Sequence, residues 1–483
     1  MRSSLKTCIA VAAALLVVPS FASADDVGGG DDLQELLSRM SDLEQQLKAT
    51  NDALAASSAK VDQQQKMLGK LGTPKQSGAM LALSDFLTDT TFGGWVSGSY
   101  FYNTNNPNSG RTIEANSGDF GANRFHPNSN SFQVDQVWFS MSNQATPESR
   151  GGFEIDIVYG QTGDALDFYG GAGNMDDAFV YNANVSYLAP ITDAGIEITA
   201  GRFEDHIGSE AVQDPYNFNI TRGLLWSLQP VGFTGVKLSS EYENGVNWML
   251  GISNNSGFDD TNETKPWNFD DDDAKVFLWS VGYQASDALS VAFNGLYGGD
   301  CAQVGNALGN IGTPGGGGVC GVNGRNNDRQ VIFDFTLNWD PSDRLSTWLN
   351  VDYMYFVNDQ RVAGEPYILG VAAAGRYGIT DATGFALRLE YIYSNDNYLG
   401  VSAPGIFFAK PASWYTEDQD LWSATATLDH ALTEHLSVKA EVVYQEGNSR
   451  SNTDNMYFCN KTCNSGFLTR SQLLLGAQMT YEF

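Results

Sequence analysis

From residue 91 to the C-terminus the sequence alternates between strand-like runs and connections, and long connections alternate with short ones. The connections at 104–130 and 204–230 are long, whereas those at 145–150 and 243–245 are short. An up-and-down barrel in an outer membrane has short turns on one side and long loops on the other. A soluble sandwich gives no reason for this rhythm. We therefore predict an all-β transmembrane fold, an antiparallel barrel of about 16 strands, within a domain spanning 76–483.

Each predicted strand has one apolar and one polar face, because its residues alternate along the chain. In FEIDIVY (153–159), Phe153 and Ile155 share one face while Glu154 and Asp156 share the other. The sixteen predicted strands are 91–103, 131–144, 151–160, 178–188, 195–203, 231–242, 246–254, 275–284, 289–298, 329–339, 345–357, 367–378, 384–394, 420–429, 436–446 and 470–483. No proline falls inside these ranges, as closed hydrogen-bond ladders require.

The polar faces predict a water-filled interior, since in a membrane the apolar face meets lipid and the charges line the lumen. Sixteen strands enclose a lumen wide enough for water. Carboxylates outnumber basic groups on these faces, which predicts a weak preference for cations. The predicted pore-lining residues are Asp135, Glu154, Asp156, Glu197, Lys237, Asp334, Asp352, Arg388, Glu390, Lys439 and Glu441.

The N-terminus has the pattern of a secretory signal peptide, which we assign to residues 1–24. Arg2 and Lys6 precede an apolar run, and a small-x-small site follows at 22–24. The alternative is an N-terminal membrane anchor, for which the apolar run is short. No later stretch reaches the length of a membrane helix. The whole chain has 27 Lys+Arg against 57 Asp+Glu, a balance that disfavours nucleic acid and anionic surfaces as partners.

Residues 33–71 carry an apolar heptad rhythm, which predicts a coiled coil. GTPKQSG (72–78) then breaks the helix, so 25–75 is interpreted as a periplasmic coiled-coil segment with its linker. A coiled coil and a sixteen-stranded barrel both favour self-association, so a homotrimer is expected. The alternative is a single helix lying on another surface.

Four cysteines follow the signal peptide, in a compartment where disulfides are the default. The local pairs are Cys301 with Cys320 and Cys459 with Cys463. The C-x3-C spacing alone is compatible with metal binding, but no histidine lies near it, so we predict no resident metal or cofactor. The acidic run Asp270–Asp273 is either a Ca²⁺ or Mg²⁺ site bridging lipopolysaccharide or a solvated acidic loop.

The last strand-like run ends on the final residue, with Tyr481 and Phe483 on its apolar face. This pattern resembles the C-terminal strand of bacterial outer-membrane barrels. In those proteins the final phenylalanine helps the barrel assembly machinery to recognise its substrate. The resemblance implies the same partner for this chain.

Short motifs at GRF (201–203), IGSE (207–210), TR (221–222) and TGVKL (234–238) resemble the OmpL-like beta-barrel porin family over most of 91–483. The resemblance implies a pore in the bacterial outer membrane without naming a solute. In sixteen-stranded general porins the loop after strand five folds into the barrel and narrows it. The corresponding candidates here are Glu204, Asp205, Glu210, Asp214 and Arg222. The alternatives are an exterior loop or a contact with a neighbouring subunit.

No pattern for catalysis stands out in the sequence, so an enzyme is not expected. The four histidines, at 126, 206, 430 and 435, lie in predicted connections. Two function classes remain. One is a diffusion channel, which could also be specific for a solute such as a sugar. The other is a structural anchor that tethers the outer membrane to peptidoglycan through the coiled coil. The polar strand faces favour a channel.

Overall fold

The computed structural model describes residues 90–105, 125–126, 128–167, 178–254, 275–298, 329–357, 367–395, 419–449, 458–459, 468–469 and 471–483. The predicted signal peptide, coiled coil, cysteine side chains and acidic run at 270–273 lie outside the described residues. The barrel belongs to the unit formed by Phe86–Phe483.

Sixteen strands form a closed antiparallel barrel, which confirms the barrel part of the predicted fold. The strands are β1 (Thr91–Asn103), β2 (Ser131–Asn143), β3 (Gly151–Tyr159), β4 (Ala178–Ala189), β5 (Ile196–Phe203), β6 (Phe233–Glu241), β7 (Val246–Ser253), β8 (Val276–Ser286), β9 (Leu289–Gly298), β10 (Arg329–Ser342), β11 (Leu345–Val357), β12 (Tyr367–Gly378), β13 (Thr383–Ser394), β14 (Gln419–Ala431), β15 (Leu436–Ser449) and β18 (Ser471–Glu482). Two-residue strands β16 (Phe458–Cys459) and β17 (Leu468–Thr469) pair separately. Neighbours in sequence are neighbours in the barrel, as an up-and-down topology requires.

The barrel closes between its first and last strands, where β1 pairs with β18 from Trp95↔Glu482 to Asn103↔Leu474. The ladder continues to the last residue. Phe483 donates its N–H to the Gly94 carbonyl at 2.9 Å, and Gly94 donates to the Phe483 carbonyl at 3.2 Å. Closure leaves no unpaired strand edge, which lipid would not tolerate.

The outer surface of the wall is apolar, and alternate residues of the strands are exposed on it. Phe333, Leu389 and Met479 are examples in the middle of strands, and Trp339 and Tyr377 lie near the short turns. In water such a surface would be unfavourable, whereas in a bilayer it faces hydrocarbon with aromatic residues at the interfaces.

The connections alternate in length as predicted, with turns such as 287–288 and 343–344 on one side and loops such as 204–232 on the other. One detail of the prediction was wrong, because β10 extends past Pro341 to Ser342. The ladder shifts register between Trp339 and Ser342, so the missing proline N–H falls at an irregularity.

An α-helix, α1 (Gln161–Asp167), follows β3 at the side of the long loops. Short 3-10 turns occur at Asp214–Tyr216 and Trp226–Leu228, within the connection between β5 and β6. Over the described parts of the chain, no helix combines the length and apolar character needed to cross a membrane.

Candidate functional site

The eleven predicted pore-lining residues lie on the inner face of the wall, but most do not face open water. Asp135, Asp156, Asp334, Asp352, Arg388, Glu390 and Glu441 are buried. Glu154, Glu197, Lys237 and Lys439 are partly exposed. In an open water-filled lumen all eleven would be solvated, so something inside the barrel covers the buried ones.

For Asp352, Arg388, Glu390 and Glu441 the cover is the connection between β5 and β6, residues 204–232, which we call the inner loop. It leaves the wall at β5 and reaches β14 and β15 on the far side of the barrel. There the Glu441 carboxylate accepts hydrogen bonds from Ile220 N at 2.6 Å, Thr221 N at 3.0 Å and Thr221 Oγ1 at 2.6 Å. Asn219 donates to Thr427 Oγ1 at 2.7 Å. The inner loop therefore spans the lumen.

Arg388 on β13 is the charged centre of this attachment. Its side chain is 0% exposed and lies 2.5 Å from Glu210 of the inner loop and 3.4 Å from Glu390 of its own strand. It also donates to the Thr221 carbonyl at 2.6 Å. Glu390 accepts from Leu225 N at 3.1 Å. A buried charge needs partners of this kind, because desolvation without them is costly.

Asp214 fixes the inner loop beside this attachment, at the seam where the barrel closes, because β18 pairs with β15 on one side and with β1 on the other. Its carboxylate accepts hydrogen bonds from Ser97 on β1 and, at 3.1 Å, from Gln478 on β18. The Asp214 N–H donates to Gln136 Oε1 on β2 at 3.1 Å. Arg222, also in the inner loop, lies 2.7 Å from Asp214. The inner loop is thus bonded to strands across the barrel.

Gln229 and His206 add contacts to a third part of the wall. Gln229 Nε2 donates to Asp352 at 2.7 Å and to Asn350 Oδ1 at 2.8 Å, both on β11. The His206 ring nitrogen Nε2 lies 3.2 Å from the Gly295 carbonyl on β9. Burial lowers the pKa of His206 to about 4, so this imidazole is neutral near pH 7 and adds no positive charge.

Apolar packing fills the lumen around these polar contacts. Leu224, Leu225 and Leu228 of the inner loop are buried against inward apolar residues near the strand ends that enter the long loops. Those wall residues are Met249, Val276, Leu278, Leu296, Ile332, Met354, Ile368, Ile392 and Leu421. They occupy polar-face positions in their strands, and this break in the alternation is the sequence signal for an internal packing partner.

A second apolar cluster joins the inner loop to α1 and to β2–β4. Val212 and Trp226 pack with Trp138, Val158 and Phe179. Together the two clusters occupy much of the lumen on the side of the long loops. The lumen is therefore narrower than the wide polar interior that the strand pattern alone predicts.

Among the five loop residues predicted to narrow the pore, Glu210, Asp214 and Arg222 contact the wall or each other inside the barrel. Glu204 is exposed, and it accepts hydrogen bonds from Tyr181 Oη at 3.3 Å and Gln213 Nε2 at 3.2 Å. Asp205 accepts a local hydrogen bond from Ile207 N at 2.6 Å. Burial raises the pKa of Asp205 well above its usual range.

A cavity of about 340 Å³ lies between the inner loop and the end of the barrel that carries the short turns. Its lining combines residues of the inner loop with residues of β10 and β11 near their connecting turn. These residues are Ser209, Glu210, Tyr216, Asn217, Phe218, Asn219, Asn338, Asp340, Ser346, Thr347 and Trp348. Its size falls within the range of small-molecule sites.

Several solved outer-membrane proteins are similar in fold at low sequence identity. A loop-deletion mutant of OmpT from Vibrio cholerae is 12% identical, with a TM-score of 0.49 over 82% of this chain and 99% of that chain. An anion-selective porin from Comamonas acidovorans is 10% identical, with a TM-score of 0.47 over 82% and 99%. The outer membrane channel DcaP of Acinetobacter baumannii is 11% identical, with a TM-score of 0.47 over 82% and 97%. No protein with a curated description matches the chain.

A family model described as "Putative beta-barrel porin-2, OmpL-like" matches residues 89–483, which include all sixteen strands of the barrel. This match confirms the resemblance that the motifs around the inner loop indicated. A closed barrel with an apolar outer surface, in a chain of this family, is an integral protein of the bacterial outer membrane. The chain belongs to the OmpL-like beta-barrel porin family.

Proposed function

We propose that this porin allows small hydrophilic solutes to diffuse across the outer membrane, with the inner loop as the constriction that limits passage. The observation that carries this proposal is the bonding of the inner loop to strands across the barrel, through Glu441, Arg388 and Asp214. A loop fixed in this way sets the width of the lumen. Because the loop is anchored, we expect a steady single-channel conductance that is smaller than the conductance of a sixteen-stranded barrel with an open lumen.

The charges that remain in contact with water favour cations. Glu154 and Glu197 are partly exposed and Glu204 is exposed inside the barrel, whereas the partly exposed lysines of the inner wall are Lys237 and Lys439, the latter bonded to the Asn217 carbonyl. Two acidic residues of the inner loop are already neutralised in buried ion pairs, Asp214 by Arg222 and Glu210 by Arg388 on β13. An excess of carboxylates in a confined aqueous passage raises the local cation concentration. We propose a weak cation preference, with neutral solutes admitted by size.

Reversal potentials of the purified porin in planar bilayers test this function. In a tenfold KCl gradient we expect a small potential whose sign shows that K⁺ passes more easily than Cl⁻. The opposite sign would refute the cation preference. A protein that inserts but carries no current in either direction would refute the channel itself.

We propose that the porin is a homotrimer in a lipopolysaccharide-containing membrane, delivered by the barrel assembly machinery. The heptads at 33–71 support self-association, and the exposed aromatic residues Tyr481 and Phe483 at the end of the β18 ladder support delivery by the assembly machinery. Closed point-group symmetry is the usual arrangement of soluble homo-oligomers, and we extend it to this porin. Deletion of the heptads tests the trimer.

A further inference from the structure

The inner loop presents two aromatic side chains to the cavity on the turn side of the lumen. Tyr216 and Phe218 flank Asn217, whose backbone is extended, with φ −99° and ψ 144°. In extended chain, residues two apart point the same way. Both aromatic residues line the cavity, and Tyr216 is 69% exposed although it lies inside the barrel. An exposed aromatic ring in an aqueous interior is a surface that a ligand could cover.

Asn217, between the two aromatic residues, and Asn219, which follows them, hold this segment in place. Asn217 Nδ2 donates to the carbonyls of Ala211 and Gln213, both at 2.8 Å. Its own carbonyl accepts from Lys439 Nζ on β15 at 2.7 Å, and Asn219 donates to Thr427 on β14. The aromatic residues are therefore displayed from a segment fixed to the wall. A surface that needs no ordering on binding loses less free energy to the ordering of side chains.

The opposite wall of the cavity supplies a third ring and polar groups. Trp348 on β11 lines the cavity and packs behind against the apolar core of the lumen. Asn338 and Ser346 lie nearby on β10 and β11. The Ser209 hydroxyl oxygen is buried in the lining and has no hydrogen-bond partner among the described residues.

The charge of the lining argues for a neutral ligand. Glu210 is neutralised by Arg388 at 2.5 Å and also accepts from Gly223 N at 2.8 Å. Asp340 is exposed at the edge, near the turn at 343–344. The centre of the cavity thus offers aromatic faces, amides and hydroxyls without an unpaired cation. Such a lining suits a ligand with apolar C–H faces and many hydroxyl groups.

We propose that this cavity is a binding site for a neutral polyhydroxylated solute of the sugar class, which stacks on Tyr216 and Trp348. The site assigns a ligand class to the proposed channel. It depends on the proposed function only because the solute must reach the cavity through the lumen. Bound solute would lie in the path of ions, on the short-turn side of the inner loop.

Calorimetric titration of the full-length porin in detergent with maltose tests the site directly. We expect saturable binding to the wild type and a dissociation constant at least about tenfold weaker in Tyr216→Ala, because the stacking face is lost. Tyr216→Phe keeps the ring and should bind as the wild type does. Tyr187→Ala is a matched control, since Tyr187 is an outward tyrosine on β4 with 48% exposure. It should leave binding unchanged.

Trp348→Phe provides a second variant that keeps a ring in the packed wall. We expect binding of intermediate strength. The proposal is overturned if maltose does not bind, if Tyr216→Ala binds it as tightly as the wild type, or if succinate or arginine binds more tightly than maltose. Conductance without maltose binding would overturn only this site, whereas binding without conductance would support the site and refute the proposed channel.

Discussion

Glu441 and Thr221 are 220 positions apart in the chain and are joined by two hydrogen bonds inside the barrel. The carboxylate oxygen Oε1 accepts from Thr221 N at 3.0 Å and from Thr221 Oγ1 at 2.6 Å. One strand residue thus holds the backbone of a loop that begins on the other side of the lumen. This contact gives the inner loop its fixed position.

Glu441→Gln should loosen the inner loop without changing the size of the side chain. An amide has one acceptor oxygen, and its NH₂ would face the N–H donors of Ile220 and Thr221. We expect the attachment to lose about 1.5–3 kcal/mol and the single-channel current to become larger and noisier. Glu241→Gln, at an exposed strand end, is the control. Currents identical to the wild type in both variants would contradict the anchoring role.

Arg388→Met should destabilise the folded barrel, because Glu210 and Glu390 would remain buried without their cation. Removing one partner of a buried ion pair costs about 3–5 kcal/mol. Urea unfolding of the lipid-reconstituted protein measures the loss, and Arg388→Met with Glu210→Gln should recover part of it. In the Arg376–Asp429 pair, the arginine side chain is 35% exposed, so Arg376→Met should cost less than about 1 kcal/mol. Equal losses in the two single variants would contradict the prediction.

Gly94→Val should impair barrel closure, because the Phe483 ring packs against Gly94 and leaves no room for a side chain at residue 94. A Cβ there would lie 2.9 Å from the Phe483 ring and would also overlap the Trp138 carbonyl. Gly93→Ala is the control, since its nearest atom is the Phe483 carbonyl oxygen at 3.6 Å. The folded fraction on unheated gels should fall only in Gly94→Val. Normal folding of that variant would contradict the prediction, because it would show that the pairing of β1 with β18 accommodates a side chain at residue 94.

The sequence predicted the wall of this barrel well because strand pairing is governed by local alternation and turn chemistry. The prediction for 289–298 agrees with β9 at both ends. The contents of the lumen were less predictable. Ile332 and Ile392 interrupt the polar faces of their strands, yet only the folded inner loop, with Leu225 packed among them, shows why. The ion pair between Glu210 and Arg388 joins residues 178 positions apart, and no local pattern encodes it.

Deleting residues 25–75 after the signal peptide should leave a folded barrel but weaken the trimer. The barrel has its own closed hydrogen-bond ladder, whereas the heptads add an apolar seam between copies. Native mass measurements in mild detergent should show trimers for the full-length protein and smaller species for the deletion variant. A full-length protein with the mass of one subunit would refute the trimer. Trimers of equal stability in both proteins would show that the coiled coil is not needed.

Ion selectivity should follow the solvated charges of the lumen rather than the buried ones. Glu154→Gln with Glu197→Gln removes two of these carboxylates, so the reversal potential should move toward zero. Lys237→Gln should move it the other way, since it removes the nearby basic group. Screening shortens the reach of these charges to about 10 Å at 0.1 M salt and about 30 Å at 0.01 M. Both shifts should therefore grow in dilute salt. If both variants shift the potential in the same direction, its origin lies elsewhere, such as in the long loops at the mouth.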